Sequence, residues 1–370
     1  MALLGRRPAV RCRVGTTVSS RDGDDERVDR LKDLVLRLLT STWSARCLAP
    51  LTVGRATVLM FHRFRDPEGG IDGHDPELLR RVLAQLRRER YELLSVTDLF
   101  HRLAGEGPPL RRAVAFTVDD GYVDQALVGL PLFAEFDCPV TAFVTTGFLD
   151  GRLWMWWDQV QYTLRHTTRR QLRVALGNEE LQYRWLDDAG RARVEWQLTE
   201  ACKRVPDTEK QEAITRLAAE ADIEIPVQAP ADYAAMSWDQ LRACEELGTT
   251  FGPHSVTHPI LAQVSDERSS CELAESWNRL QQEAKHPIPV FCYPNGGLQD
   301  FGAREIGTLR RLQMLGAFAS GPGYASALHF QQASDARFAV PRFGYPNSLE
   351  RVLCYIAGVE RLKQLVRRNA

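Results

Sequence analysis

The sequence predicts an α/β fold built on a parallel sheet, and two observations lead to that prediction. Short, almost continuously apolar runs recur along the chain, which is typical of strands buried on both faces. Amphipathic helical segments separate these runs, and such alternation predicts a parallel sheet that is either open or closed into a barrel. In both arrangements functional sites form at the carboxyl ends of the strands, so the residues that follow the strands are the first candidates for chemistry.

The predicted strands and helices alternate from residue 56 onward. The strands are 56–61, 113–118, 139–144, 249–252, 289–293, 315–320 and 338–343. The helices lie around 76–90, 237–247, 265–284 and 302–314. Residues 152–235 interrupt the alternation with a stretch that is dense in Arg, Glu and Leu, and we predict a helical insertion there.

Two further segments flank this α/β unit. Residues 1–55 comprise an N-terminal stretch without periodicity, expected to be poorly ordered, and a helix predicted from the apolar spacing between Val28 and Trp43. That helix could pack on its own domain, on a partner or at a membrane surface, and we expect the first. Residues 346–370 are expected to form a last helix, which Asn347 or Ser348 can cap.

The composition excludes several classes of protein. The 370 residues carry a formal net charge of −1, which gives no general attraction to nucleic acid or to an anionic membrane. No apolar stretch reaches the roughly 18 residues of a transmembrane helix, and the N-terminal arginines do not precede a signal-peptide core. The eight cysteines are scattered, as reduced core residues are. We therefore expect a cytoplasmic protein, with peripheral membrane contact through the N-terminal helix as an alternative.

Two adjacent carboxylates close the second predicted strand. Asp119 and Asp120 follow the apolar run 113–118, and Gly121 then permits a tight turn. Neighbouring carboxylates at the end of a buried strand require a cation or hydrogen bonds in compensation. The alternative is structural, because aspartate is also a good cap for a following helix.

Two histidines four residues apart follow a later predicted strand. His254 and His258 lie in a loop just after 249–252, and Pro259 prevents the turn from continuing as a regular helix. One carboxylate and two imidazoles form a ligand set that leaves metal positions open for water or substrate. The second carboxylate would then be available as a base. Taken alone, such histidines are as often capping or solvent-facing residues.

Together the motifs resemble those of the polysaccharide deacetylases, the NodB-homology or carbohydrate esterase family 4 enzymes, and in particular their exopolysaccharide-associated type. Four segments carry the resemblance: 117–121 (T-V-D-D-G, with Val118 where the family has Phe), 254–259 (H-S-V-T-H-P), 293–296 (Y-P-N-G) and 340–343 (V-P-R-F). The resemblance covers residues 56–345 and implies a distorted (β/α) barrel in which 152–235 is the inserted helical segment.

The resemblance also implies an activity and a set of roles. Such enzymes are metal-dependent hydrolases that release acetate from acetylated sugars, here a polymer, an oligosaccharide or a lipid-linked sugar. Matched by position, Asp120, His254 and His258 would hold one divalent metal, and Asp119 would be the general base. Zn²⁺ is the first expectation, with Co²⁺ or Ni²⁺ as alternatives that the same ligands suit. A carbohydrate-binding protein without turnover and a hydrolase of a non-sugar amide are the competing hypotheses.

The remaining roles are assigned less directly by the resemblance. The backbone N–H of Asn295, beside Tyr293, would stabilise the oxyanion. His62, at the end of the first predicted strand, is the preferred general acid, and His329 is the alternative. Phe291 and Cys292 stand where many relatives carry an arginine that orients the base, so Arg342 is the candidate for that charge.

A cluster of tryptophans opens the predicted insertion. Trp154, Trp156 and Trp157 lie within four consecutive positions, and Met155 separates the first two. Aromatic faces stack well on sugar rings, and Trp157 is therefore a candidate substrate contact. Packing of the insertion against the barrel explains the same cluster equally well.

Overall fold

The computed structural model describes residues 47–177, 179–327, 330 and 335–369. The predicted N-terminal helix and the segment before it lie outside the described residues, as does His329.

A mostly parallel sheet forms the centre of the molecule, and this confirms the predicted fold class. Four strands lie side by side in the order β1-β3-β4-β7, and each neighbouring pair is parallel. The strands are β1 (Arg55–Phe61), β2 (Glu92–Leu93), β3 (Ala113–Asp120), β4 (Val140–Val144), β5 (Gln171–Leu176), β6 (Glu179–Arg184), β7 (Thr250–Pro253), β8 (Val290–Cys292), β9 (Gly316–Phe318), β10 (Ala325–Ser326) and β11 (Phe343–Gly344).

Short contacts connect this sheet to the remaining strands. Strands β8 and β9 form a separate parallel pair, and a single bridge between Phe251 and Pro287 joins it to the β7 side. On the other side Phe318 bridges to Val340, and the chain then runs into β11, which pairs in parallel with β1. The strands therefore follow the circular order of a (β/α) barrel whose hydrogen bonding is interrupted.

Helices fill the connections between the strands. They are α1 (Pro76–Arg88), α2 (Val96–Leu103), α3 (Leu130–Ala134), α4 (Thr146–Leu149), α5 (Trp156–His166), α6 (Asp188–Cys202), α7 (Asp207–Glu220), α8 (Trp238–Glu246), α9 (Asp266–Glu283), α10 (Ala303–Arg311), α11 (Leu349–Ile356) and α12 (Val359–Asn369). Side-chain caps fix several beginnings: Asp75 caps α1, Ser237 and Gln240 form a capping box at α8, and Ser265 caps α9.

The last predicted strand is shorter than its apolar sequence indicates. The sequence predicted a strand over 338–343, but only Phe343–Gly344 pairs as one, and residues 336–338 form a 3₁₀ turn. The reason lies in Pro341, which has no N–H to donate to a ladder and so interrupts pairing between Val340 and Phe343.

The insertion is not wholly helical. Beside helices α5, α6 and α7 it contains an antiparallel hairpin of β5 and β6, where the sequence predicted helix. Leu172, Val174 and Leu176 are buried and alternate with exposed residues, which is the pattern of a strand with one solvated face. Together with apolar residues of α5, α6 and α7 they form a hydrophobic cluster of the insertion's own.

The C-terminal segment forms two helices where the sequence predicted one. Ser348 caps α11 by accepting a hydrogen bond from the N–H of Arg351. Gly358 then adopts a φ of +87°, a left-handed conformation that ends one helix and lets α12 begin in a new direction.

The described part of the chain has neither a membrane-spanning helix nor a disulfide. None of its helices combines the length and the apolar character that a bilayer crossing requires. The seven described cysteines are free, and five of them are buried: Cys138, Cys202, Cys244, Cys292 and Cys354.

Candidate active site

Residues from several strand ends meet in one cavity of about 610 Å³ at the carboxyl ends of the strands. Strand β3 ends with Asp119 and Asp120, and the loop after β7 carries His254 and His258. Asn295, which follows β8, lines the same cavity. Parallel strands place their carboxyl ends at one edge of a sheet, so motifs far apart in sequence converge here.

Asp120 and the two histidines form a compact group of ligand atoms. The Asp120 Oδ1 atom lies 3.5 Å from Nε2 of His254 and 3.4 Å from Nε2 of His258. The three ligand atoms all lie within 4.8 Å of one another, and the three residues are buried. Ligand bonds of about 2.0–2.2 Å at tetrahedral angles would separate neighbouring ligand atoms by about 3.4 Å. The spacing therefore fits a divalent metal.

A backbone hydrogen bond fixes the tautomer of His254. Its Nδ1 atom lies 2.7 Å from the carbonyl oxygen of Cys292, which can only accept, so the proton is on Nδ1. In the neutral ring that a metal ligand requires, the lone pair is then on Nε2, on the side that faces Asp120. A histidine ligand is typically held in this way by a second bond from its other ring nitrogen.

The backbone around the site adopts conformations that non-glycine residues rarely take. Asp120, Ser255, His258 and Asn295 have positive φ values of 86°, 66°, 56° and 56°. Such conformations cost energy and cluster where a side chain must be aimed at a functional site. Three of these residues, Asp120, His258 and Asn295, line the same cavity, which makes it the candidate functional site.

Arg342 forms a two-pronged ion pair with Asp119. Its Nη1 and Nη2 atoms each donate to one carboxylate oxygen at 2.8 Å, and Nη1 also donates to the Thr117 hydroxyl at 2.9 Å. The side chains of Arg342 and Asp119 are only 1% and 3% exposed. The structure thus places Arg342, from the last strand connection, where the sequence analysis required a positive charge.

The Cys292 thiol lies against the same pair. It donates to Asp119 Oδ2 at 3.5 Å, while Arg342 Nη2 lies 3.0 Å from its sulfur. Burial raises the pKa of Cys292 above its usual value, so the thiol is neutral. The neutral Cys292 thiol therefore occupies the position just before the segment 293–296, and Arg342 reaches Asp119 from another element.

The two carboxyls of the motif are held ionised by different partners. Burial opposes ionisation of Asp119, but the charge and hydrogen bonds of Arg342 outweigh it and lower the pKa of Asp119. Burial likewise opposes ionisation of Asp120, and hydrogen bonds with His254 and His258 lower its pKa well below the usual range. Both side chains are therefore anionic at neutral pH.

The two histidines have opposite pKa shifts. Burial favours the neutral form of His254, but the hydrogen bond with Asp120 and the nearby charge of Asp119 raise its pKa above the usual value. Burial dominates at His258 and lowers its pKa, and its buried Nδ1 atom has no hydrogen-bond partner among the described residues.

The loop that carries both histidines is clamped by a residue that the sequence did not single out. Glu272 on α9 accepts hydrogen bonds from the N–H groups of Val256 and Thr257, each at 2.8 Å, and from the Thr257 hydroxyl. Its side chain is buried. In the sequence it is one acidic residue among several on a polar helix, and nothing there indicated its role.

The exposed His62 side chain lines the cavity at the end of β1, as the sequence analysis expected. His74 lines it as well and was not anticipated, because it lies in a loop with no motif around it. Burial, followed by the neighbouring His62, lowers the pKa of His74 to about 4, which leaves it neutral.

The tryptophans of the insertion divide between core and cavity. Trp154 is buried and donates from Nε1 to the carbonyl of Pro226, whereas Trp156 and Trp157 line the cavity. The Trp157 ring meets His258 edge-on, with 4.7 Å between ring centroids. The insertion therefore forms one wall of the site and contacts a candidate metal ligand.

The segment after β8 supplies donor groups without protein partners. Tyr293 and Asn295 line the cavity, and the buried Tyr293 hydroxyl and Asn295 Nδ2 accept or donate no hydrogen bond within the described part of the chain. The Tyr293 ring is fixed by stacking on Phe301 at 3.7 Å.

Comparisons with known proteins agree with the sequence motifs. Residues 205–306 match the polysaccharide deacetylase family, a range that includes both histidines and Tyr293 but not the two aspartates. No curated protein matches the chain in sequence.

Two solved structures share the fold over most of the chain. The deacetylase PplD of Streptococcus pyogenes, solved with acetate, has a TM-score of 0.53 and 18% identity, over 82% of this chain and 99% of its own. A de-N-acetylase of Aggregatibacter actinomycetemcomitans has a TM-score of 0.50 and 14% identity, over 81% and 99%. The family match and this shared fold confirm the resemblance that the motifs predicted.

Proposed function

We propose that this chain, which has the fold and the family match of a polysaccharide deacetylase, hydrolyses the N-acetyl groups of a sugar polymer, oligosaccharide or lipid-linked sugar to a free amine and acetate. One observation carries the proposal: a buried Asp-His-His group with the spacing of metal ligands lies beside an aspartate that an arginine holds ionised.

Asp120, His254 and His258 would hold a divalent cation, with Zn²⁺ as the first candidate and Co²⁺ or Ni²⁺ as alternatives. When bound there, the ion supplies positive charge for the acetyl carbonyl and lowers the pKa of a coordinated water. The Nδ1–H bond from His254 to the Cys292 carbonyl presents Nε2 to the ion in a fixed orientation.

Asp119 would accept the proton of the attacking water. Each carboxylate oxygen has two acceptor positions. The bond from Arg342 leaves one of them free on Oδ1, whereas Oδ2 accepts from both Arg342 and the Cys292 thiol. The same bonds fix the direction of the carboxylate. Arg342 therefore acts as a positioning residue for the base.

The developing oxyanion needs donors that no other group already uses. The backbone N–H of Asn295 is not engaged with any described protein group, and the left-handed conformation of this residue turns it away from regular pairing. Together with the Tyr293 hydroxyl it would stabilise the negative charge on the acetyl oxygen.

The departing amine must receive a proton, and His62 would provide it. His62 is the histidine of the cavity wall that is exposed and has no side-chain hydrogen bond among the described residues. An imidazole can both donate and accept a proton, as a general acid must do within one turnover.

The experiment is an acetate-release screen over N-acetylated oligosaccharides, polymers and lipid-linked sugars with Zn²⁺, Co²⁺ or Ni²⁺ added. The wild-type chain should release acetate from at least one class, and Asp119→Asn should reduce the rate at least about 100-fold. Asp72→Asn, an exposed carboxyl at the same cavity, is the matched control and should keep the rate.

Each result of the screen has a defined meaning. Full acetate release by Asp119→Asn would remove the proposed base. If the metal-loaded protein binds acetylated sugars but releases no acetate, it is a binding protein without turnover, and release from non-sugar amides alone would assign a different substrate.

A further inference from the structure

The insertion builds a second half of the cavity, away from the strand ends. Its lining residues come from α5 and from the end of α6: Trp156, Trp157, Asp158, Gln161, Arg165 and Lys203. A cavity of about 610 Å³ exceeds what an acetyl group alone requires, so this half has room for other parts of a substrate.

Asp158 belongs to this half and has one carboxylate oxygen that receives no hydrogen bond from the described residues. It is only 5% exposed, although its side chain lines the cavity. Its Oδ2 atom accepts a hydrogen bond from the Tyr122 hydroxyl at 2.7 Å. Its Oδ1 atom accepts none from the residues that the structure describes. This oxygen is therefore an acceptor that a bound ligand can engage, and a hydrogen bond to a charged carboxylate contributes more than one between neutral groups.

The carboxyl is held rigidly in place. The Tyr122 hydroxyl donates to Asp158 and accepts from Nε1 of Trp157 at 3.0 Å, so its proton and its oxygen are both engaged. The Arg63 guanidinium lies 4.1 Å from the centre of the Tyr122 ring and is itself bonded to Asp124 at 2.7 Å. The free oxygen is therefore preorganised.

The electrostatic surroundings favour a donor over an anion. Burial is the main cause that raises the pKa of Asp158 to about 7; the nearby charges of Asp120 and Asp232 act in the same direction, and Tyr122 and Arg63 oppose them. A group that donates to Asp158 would favour its ionised form.

We propose that Asp158 forms a substrate subsite in which its Oδ1 atom accepts a hydrogen bond from a hydroxyl or ammonium group of a bound sugar. The subsite lies beside the catalytic group, since Trp157 contacts both Tyr122 and the candidate ligand His258. The proposal rests on the proposed deacetylase function, and it makes the insertion a determinant of substrate affinity.

The test compares Asp158→Asn with the wild type. Asparagine keeps the shape and can still accept from Tyr122, but it presents an N–H₂ donor to the ligand. KM for an N-acetylglucosamine oligomer should rise at least about tenfold, the loss expected for one hydrogen bond to a charged group. The kcat/KM for 4-nitrophenyl acetate, which carries no sugar, and the affinity for Zn²⁺ should stay within about twofold.

Two further variants keep the test decisive if Asp158→Asn unfolds. Tyr122→Phe removes the hydroxyl between Trp157 and Asp158 and should raise the same KM by a smaller factor. Asp72→Asn should leave KM unchanged, because Asp72 is exposed and already accepts from the N–H of Gly73 at 2.9 Å.

The nature of the donor follows from two oligomers, whose binding is measured by calorimetry in the Asp119→Asn background. If adding Asp158→Asn lowers the affinity for both a fully acetylated and a partly deacetylated oligomer, the donor is a hydroxyl. If it lowers the affinity for the partly deacetylated oligomer alone, the donor is an ammonium. Unchanged affinity for both overturns the subsite. That result leaves the proposed function intact, which fails only if the wild type releases no acetate from any sugar.

Discussion

At the scale of single residues, the ion pair with Arg342 keeps Asp119 ionised and fixes the direction of its carboxylate. The carboxylate comes from the end of β3 and the guanidinium from the last strand connection, and both are almost completely buried. Such a pair is costly to break, because the partner left behind is an uncompensated charge. Both residues lie in segments that carry the family resemblance, but only the folded chain joins them in one pair.

Replacing Arg342 separates structure from catalysis. Arg342→Ala should lower the free energy of unfolding by about 3–5 kcal/mol and abolish acetate release. Arg342→Lys keeps the charge but loses the two-pronged geometry, so it should recover part of the stability and little of the rate. Urea unfolding and acetate release measure the two effects. A fully active Arg342→Ala would contradict the positioning role.

Asp158 should leave a signature in the pH dependence of stability. Its pKa is about 7 in the folded chain, against about 4 for an ordinary aspartate, so the folded state holds the proton more tightly. Stability therefore falls as pH rises from about 4 toward 7, by up to about 1.4 kcal/mol per unit. In Asp158→Asn the free energy of unfolding should not show this part of the decrease with pH. Identical slopes for the two proteins in urea unfolding at pH 5 and 7 would contradict the environment described for Asp158.

At the scale of elements, the connection between β7 and α9 holds the histidines. Its backbone N–H groups at Val256 and Thr257 point to one carboxylate, that of Glu272. Ser255 and His258 on either side adopt left-handed conformations. The loop is thus shaped by a residue on the following helix.

Glu272→Gln should weaken metal binding. Glutamine offers one acceptor oxygen where glutamate offers two, so part of the clamp on the loop is lost, and we expect Zn²⁺ affinity to fall about 10- to 100-fold. Calorimetric titration of the metal-free protein with Zn²⁺ measures this directly. Glu275→Gln, an exposed glutamate on the same helix, is the matched control. Equal affinities for both variants and the wild type would show that the loop does not depend on Glu272.

Most elements of the barrel could be predicted, because buried parallel strands are apolar throughout and capped helices begin at recognisable residues. The exceptions have physical causes. Pro341 shortens the last strand, Gly358 divides the C-terminal helix, and the alternation at Leu172 and Val174 forms a hairpin inside a segment with helical composition. Each exception depends on a single residue or a short pattern inside a segment whose overall composition indicates a different structure.

At the scale of the whole molecule, the site lies between the strand ends and the insertion. Motif residues were predictable since their chemistry is local: two carboxylates in a row, two histidines four apart. Glu272, His74 and Asp158 were not, because their roles arise from contacts between segments that the sequence does not relate. The position of the insertion against the cavity is likewise a property of the folded chain alone.

The most direct test of the central claim is acetate release from an N-acetylated oligosaccharide as metal is removed and restored. Activity should disappear on chelation and return when about one equivalent of divalent metal per chain is added back. Asp119→Asn should bind the same amount of metal and remain inactive. Acetate release that persists in the metal-free protein, or that survives in Asp119→Asn, would contradict the account.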